Sequence, residues 1–251
     1  MATVAEVTAP YGNVLVPILG PGQVRCAVCK SVVREGFSLC YQCNRQVNEL
    51  SYTANVVTPV ALSVKGGQWA YELSAYKNAS SLAARQTMEV KIGAVLWRWL
   101  ESHESHVAEA AGVRDFPIVT SVPSTSGRLE HPLSRMLRNV VTPISGRYYD
   151  LLSVNPSYPR GSREARDDRF TAHPLQGQPV LLIDDQWTSG GRMQSAAAAL
   201  RMAGSGPVAA VALGRHFDPR PNGDAYLAAA QGYLQAASKQ GWDWNRCCLQ
   251  N

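Results

Sequence analysis

The sequence has no apolar run close to the ~20 residues that a membrane-spanning helix needs. Its first ten residues carry Glu6 and neither a basic stretch nor a long apolar core, so no secretory leader is expected. These absences predict a cytoplasmic chain with reduced thiols and no membrane partner. Charged residues are scarce at 17%, against the usual quarter or so. No long Lys/Arg block occurs. The net charge of +5 therefore favours anionic partners such as phosphates; nucleic acid is open as a partner but not favoured. A G-x-x-x-x-G-K-[ST] loop is missing, which excludes the P-loop NTPases. Gly204-Ser-Gly206 follows a helical run instead of a strand, which excludes a dinucleotide fingerprint. There is no Ser–His–Asp or Cys–His signature, no internal repeat and no low-complexity tract.

What remains is a chain of 251 residues, 45% apolar, enough for one sizeable core and a small appendage. Residues 1–50 hold four of the six cysteines and read as a zinc-ribbon module; residues 51–251 read as the main domain. In the latter, VALSV at 60–64, Gly66-Gly67 and the stretch from Trp69 to Tyr76 read as a β-hairpin, since Gly-Gly supplies the positive φ of a tight turn. Met88, Ile92, Val95, Leu96 and Trp99 then recur at helical spacing. FPIVTSV at 116–122 is a buried-strand candidate, and Leu133, Met136, Leu137 and Val140 mark a helix. VLLI at 180–183 reads as a central parallel strand covered on both faces. The Ala-rich 194–203 is a helix ended by Gly204, PVAAVAL at 207–213 is the next strand, and the Ala-rich tail is helical. This rhythm predicts an α/β fold with a mostly parallel sheet flanked by helices.

Cys26-Ala-Val-Cys29 and Cys40-Tyr-Gln-Cys43 are two C-x-x-C pairs. Each presents two thiolates from a tight turn, and two facing turns complete a tetrahedral sulfur site. The expected cofactor is structural Zn2+, because all four positions are filled by protein. Iron–sulfur ligation uses the same ligands, whereas a dithiol redox motif needs only one pair. Cys247 and Cys248 read as unpaired thiols. His103 and His106 read as an exposed helix end with no third ligand near them in sequence.

VLLIDDQWTSGGR at 180–192 runs strand, two carboxylates, small polar loop, helix. A loop that opens a helix is an anion site, through its free N–H groups and the helix dipole. Thr188 and Ser189 add hydroxyls, and Gly190 and Gly191 allow close approach of the backbone. Asp184 and Asp185, at the carboxyl end of the strand, can hold sugar hydroxyls and Mg2+.

This stretch resembles the phosphoribosyl-pyrophosphate (PRPP) signature of type I phosphoribosyltransferases. The resemblance implies the type I phosphoribosyltransferase-like fold. It also implies that Asp184 and Asp185 bind the ribose hydroxyls while Thr188, Ser189, Gly190, Gly191 and Arg192 surround the 5′-phosphate. Gln186 and Trp187 stand where small or aliphatic residues are usual, and Arg192 where Thr or Ser is common. Purine-salvage relatives often carry Asp at the place of Thr188, which argues against ordinary hypoxanthine/guanine salvage. Candidates for the pyrophosphate side are Ser124, Thr125 and Arg128 of VPSTSGR; Arg163 and Arg166, which with Arg169 recur every three residues and read as one helical turn; and Lys77.

The cysteine pairs, the Tyr76-Lys77 region, the VPST loop, the Arg166 to Phe170 segment and IDDQWTSGG follow in the order of the ComF family, the amidophosphoribosyltransferase-like proteins with an N-terminal zinc ribbon. The resemblance covers most of the chain, although only the cysteines and the PRPP loop are specific motifs. It implies an enzyme that binds Mg2+–PRPP and transfers the phosphoribosyl group to a nitrogen nucleophile, a base or an amine, with release of pyrophosphate. It leaves room for a homodimer. The alternative expectation is a non-catalytic member that acts in DNA uptake or nucleic-acid handling, and a third is a scaffold that docks a partner enzyme.

Overall fold

The structure, a computed structural model, describes residues 2–124, 131–159, 162, 164–221 and 224–250. In chain order its elements are α1 (Val4–Thr8), β1 (Val16–Pro17), α2 (Tyr41–Glu49), β2 (Val56–Val64), α3 (Gln68–Asn78), α4 (Leu82–Ala110), β3 (Ile118–Ser121), α5 (Pro132–Asn139) and α6 (Thr142–Ser145). They continue with β4 (Leu152–Val154), β5 (Phe170–Ala172), β6 (Val180–Trp187), α7 (Gly191–Met202), β7 (Val208–Phe217) and α8 (Asp224–Gln240). Among the described residues the main sheet has the order β1-β2-β7-β6-β3, parallel except for β1. β4 and β5 form a separate antiparallel ladder. The chain is thus an α/β protein with a mostly parallel sheet and flanking helices.

The apolar strands carry no hydrophobic–polar alternation because both faces of the sheet are covered. Side chains still alternate between two cores. Leu181 and Ile183 of β6, with Ala209, Val211 and Leu213 of β7, face a core built on α3, α4 and α5. Val180 and Leu182, with Val208, Ala210 and Ala212, face α7 and the cysteines. This pleat continues into the acidic pair: Asp184 and Asp185 leave β6 on opposite faces.

Three expectations are corrected. The hairpin does not form. Gly66 turns the chain at φ +83°, but Gly67 then caps α3 instead of starting a strand. Trp69, Leu73 and Tyr76 are spaced by four and three, a helical period, and all three are buried. The indole of Trp69 donates to the Leu213 carbonyl of β7 at 3.1 Å. Lys77 therefore lies in the last turn of a helix. The Arg-rich segment is not a helical turn at Arg166, whose φ of −153° and ψ of 144° are extended; only Asp167–Arg169 turn, as a short 3-10 helix. His103 is no exposed helix end: α4 runs on to Ala110, and His103 is fully buried. Burial pushes its imidazole down to about 4.

Candidate functional site

The carboxyl ends of β2, β6 and β7 meet at one edge of the sheet, where open parallel sheets form their crevices. Lys77, Ser162, Asp184, Asp185, Gln186 and the run from Thr188 to Met193 line a cleft there of about 230 Å3. Every residue of the expected phosphate loop is on this cleft, together with both acids and Lys77.

The loop is shaped from beneath. Gly190 adopts φ +82°, and α7 begins at the next residue. Trp187, 1% exposed, lies under it: a Cβ on Gly190 would overlap the indole ring. The unusual Trp187 is therefore the floor of the loop. Gln186, the other unusual residue, donates from Nε2 to Ser63 Oγ at 2.8 Å.

Three successive loop carbonyls are held from behind. Arg215 Nη1, at the end of β7, donates to the carbonyls of Trp187 and Thr188, both at 3.2 Å. Gln46 Nε2 of α2 donates to the Ser189 carbonyl at 2.7 Å. In a planar trans peptide the N–H points opposite to its C=O. Holding the carbonyls of 187–189 on the cysteine side turns the N–H groups of 188–190 toward the other side, next to the α7 N–H groups that have no intrahelical acceptor. The result is a concentration of donors suited to a phosphate.

The two acids are not equivalent. Asp185 is surrounded by burial, which favours its neutral form, but the Lys77 ammonium pairs with it and Tyr76 Oη donates to it at 2.7 Å; together these hold the carboxyl below the usual range. Burial pushes Asp184 up to about 6, with Arg192 opposing and Asp185 reinforcing the rise. Its Oδ1 accepts from the Asp185 N–H at 2.9 Å. Arg192 reaches the other loop, donating from Nη2 to the Pro123 carbonyl at 3.1 Å, while its Nε is buried with no hydrogen-bond partner among the described residues. Arg169 is also buried near this corner, over the Tyr158 ring at 5.0 Å. Burial pushes its guanidinium down, and Arg192 acts in the same direction. Two guanidiniums that repel each other beside a donor-rich loop suit an anion.

The raised Asp184 has a stability consequence. The folded state holds this proton more tightly than the unfolded one, so the group's favourable contribution is full below about pH 4 and is lost as pH rises through about 6. Asp184→Asn keeps the acceptor for the Asp185 N–H and removes the charge. At pH 7.5 it should stabilise the ligand-free protein by on the order of 2 kcal/mol, a Tm rise of about 4–8 °C. The gain should fade below pH 5. A variant no more stable than wild type at pH 7.5 would refute the strained charge.

The remaining candidates are dispersed. Ser124 lines a neighbouring cleft with Ser121, His131 and Arg138. Arg166 is exposed and paired with Asp168 at 3.0 Å, a surface pair of small energetic weight, while its N–H donates to Ser195 Oγ of α7 at 2.8 Å. Thr125, Arg128 and Arg163 lie outside the described residues. The sequence did not assign Gln46 or Arg215 to the site, and neither had a local signal; Tyr76, beside Lys77, and Arg169, in the three-residue arginine spacing, had one.

Next to the loop stands the four-cysteine cluster. The ligand atoms of Cys26, Cys29, Cys40 and Cys43 lie within 4.8 Å of one another, and Cys29 and Cys40 Sγ are 3.7 Å apart. Two thiolates on one tetrahedral zinc, with Zn–S near 2.3 Å, stand about 3.8 Å apart. The cluster therefore fits a structural zinc. Lys30, just after Cys29, takes φ +59° and donates from Nζ to the Ala27 carbonyl at 2.6 Å, which closes the first turn. Arg215 Nη2 is 3.6 Å from Cys29 Sγ, so one guanidinium spans from the cluster to the loop.

No protein-family model matches this sequence, and no curated protein matches it.

Proposed function

We propose that this chain binds Mg2+–PRPP in the β6–α7 cleft and transfers its phosphoribosyl group to a nitrogen nucleophile, releasing pyrophosphate. The observation that carries this reading is the convergence of two buried carboxylates, a lysine and a donor-lined helix entrance on one cleft. The 5′-phosphate would sit against the backbone of Thr188–Arg192. Asp184 and Asp185 would accept hydrogen bonds from the ribose hydroxyls. Mg2+, when bound, would neutralise pyrophosphate charge, and the carboxylates of the same pair are the residues suited to hold it, directly or through water. Lys77 would leave Asp185 for the pyrophosphate as the polyanion enters. In the transfer the bond from C1 to the pyrophosphate oxygen breaks, the leaving group takes the electron pair, and the acceptor nitrogen bonds to C1. The protein's tasks are orientation and stabilisation of the departing charge, and no protein nucleophile is required.

Thermal unfolding with PRPP and Mg2+ tests this. At one hundred times Kd a ligand adds about 2.7 kcal/mol, a Tm rise of about 5–10 °C. The double variant Asp184→Asn, Asp185→Asn should lose the rise. A rise that survives in the double variant places the ligand elsewhere, and its absence in wild type ends the reading.

A second reading has one surface in its favour. Phe37 and Tyr41 are exposed, 66% and 71%, on a groove with Arg34 and Tyr226. Exposed aromatics beside cations are platforms on which unpaired bases stack. Salt-dependent binding of single-stranded DNA, without pyrophosphate release from PRPP, would put nucleic-acid handling first.

A further inference from the structure

A second set of metal-type ligands is formed by residues outside the two cysteine pairs. His103 and His106 are three residues apart on α4 and share a face. Cys247, in the segment that follows α8, folds back onto them. The ligand atoms of the three residues lie within 4.8 Å of one another. The two Nδ1 atoms are 3.3 Å apart, and Cys247 Sγ is 3.9 Å from His106 Nδ1.

These distances fit a shared cation. Two imidazole nitrogens on one tetrahedral zinc stand about 3.3 Å apart, and nitrogen and thiolate about 3.6 Å, from Zn–N near 2.0–2.1 Å and Zn–S near 2.3 Å. The arrangement is poorly explained as hydrogen bonding alone. His103 is fully buried, and among the described residues its Nε2 makes no hydrogen bond of good geometry, with the Trp244 backbone nearby. One ring nitrogen is directed at another imidazole, and the other polar group that acts on the ring is the Trp244 backbone; a cation between the facing Nδ1 atoms would satisfy both imidazoles at once. We propose that His103, His106 and Cys247 form a second zinc site, which fastens the C-terminal segment to α4.

The segment is also attached by packing: Cys248 is buried in an apolar cluster with Leu19 and Leu62, and Leu249 packs on the main core. Trp242 and Trp244 pack on the main core, and Arg98 of α4 stacks over Trp244 at 4.3 Å. A metal joining Cys247 to α4 would convert this packing into a cross-link. With three protein ligands, the fourth position falls to water.

The test is metal stoichiometry on the full chain, reconstituted with zinc and separately with Co2+. Wild type should take two equivalents. X-ray absorption of the zinc form should show imidazole outer-shell scattering, which a four-cysteine site cannot produce. Cys247→Ser and His106→Asn should each take one equivalent, with the intense sulfur-to-cobalt charge transfer of the four-cysteine site retained. Saturation of wild type at one equivalent without imidazole scattering would overturn the proposal, and so would two equivalents in either variant. If a variant does not fold, the wild-type stoichiometry and scattering decide alone.

Discussion

Withholding zinc from the four-cysteine cluster is expected to lower the Tm by on the order of 10 °C and to abolish the Tm rise proposed for PRPP. Cys26, Cys29 and Cys43 are 0–1% exposed and share a core with Trp187, Met193 and Ala196, the residues under the phosphate loop and along α7. Metal binding and local folding are one equilibrium in such modules. Losing the module removes Gln46 from the Ser189 carbonyl and takes away the Cys29 contact of Arg215, which holds the carbonyls of Trp187 and Thr188. Their peptides can then rotate, and the N–H groups no longer converge. A loss of about 4 kcal/mol, typical of breaking a buried network, corresponds to roughly 8–16 °C at this chain length. Chelator-treated Cys247→Ser, which lacks the second site, compared with the same sample after zinc is returned, separates this effect from damage and from metal held at His103 and His106. A metal-free protein that still gains stability from PRPP would disconnect the module from the loop.

Gly190→Ala should be the most damaging single substitution in the loop. Two costs combine there. A left-handed φ of +82° disfavours any Cβ by about 1–2 kcal/mol. The new methyl would also overlap the buried Trp187 ring, which has nowhere to move within its core. Together they amount to about 3–4 kcal/mol, a Tm loss near 10 °C, with loss of the PRPP-dependent rise. Gly177→Ala is the internal control. Gly177 has the same φ of +82° but nothing among the described residues within 4 Å of a Cβ, so it should show the backbone cost alone. Equal losses in the two variants would mean that the indole does not support the loop.

Both predictions depend on a contact pattern that is partly legible in the order of residues along the chain. Cys26, Cys29, Cys40 and Cys43 announce one cluster fit for a metal, because ligand geometry dictates their spacing. The order of strand, acids, polar loop and helix at 180–192 announces a loop that opens a helix at the end of a strand, because each part follows from its neighbours. The run VLLI announces a doubly covered strand, as its alternation between two cores bears out. Elsewhere local reading failed. Gly66-Gly67 is compatible with a hairpin or with the start of a helix, and the period of Trp69, Leu73 and Tyr76 decides for the helix.

The sequence by itself determined the α/β class, the parallel sheet, the four-cysteine cluster and the loop that opens α7, since all of these are encoded in short-range spacing and residue type. Only the tertiary structure decided what completes them: Gln46 on the Ser189 carbonyl across 143 residues, Arg215 on Cys29 across 186, and Cys247 on His106 across 141. Such contacts carry no periodic signal. They arise when packing of the sheet and its helices brings distant segments to one place, and there a buried polar group must find a partner or destabilise the fold.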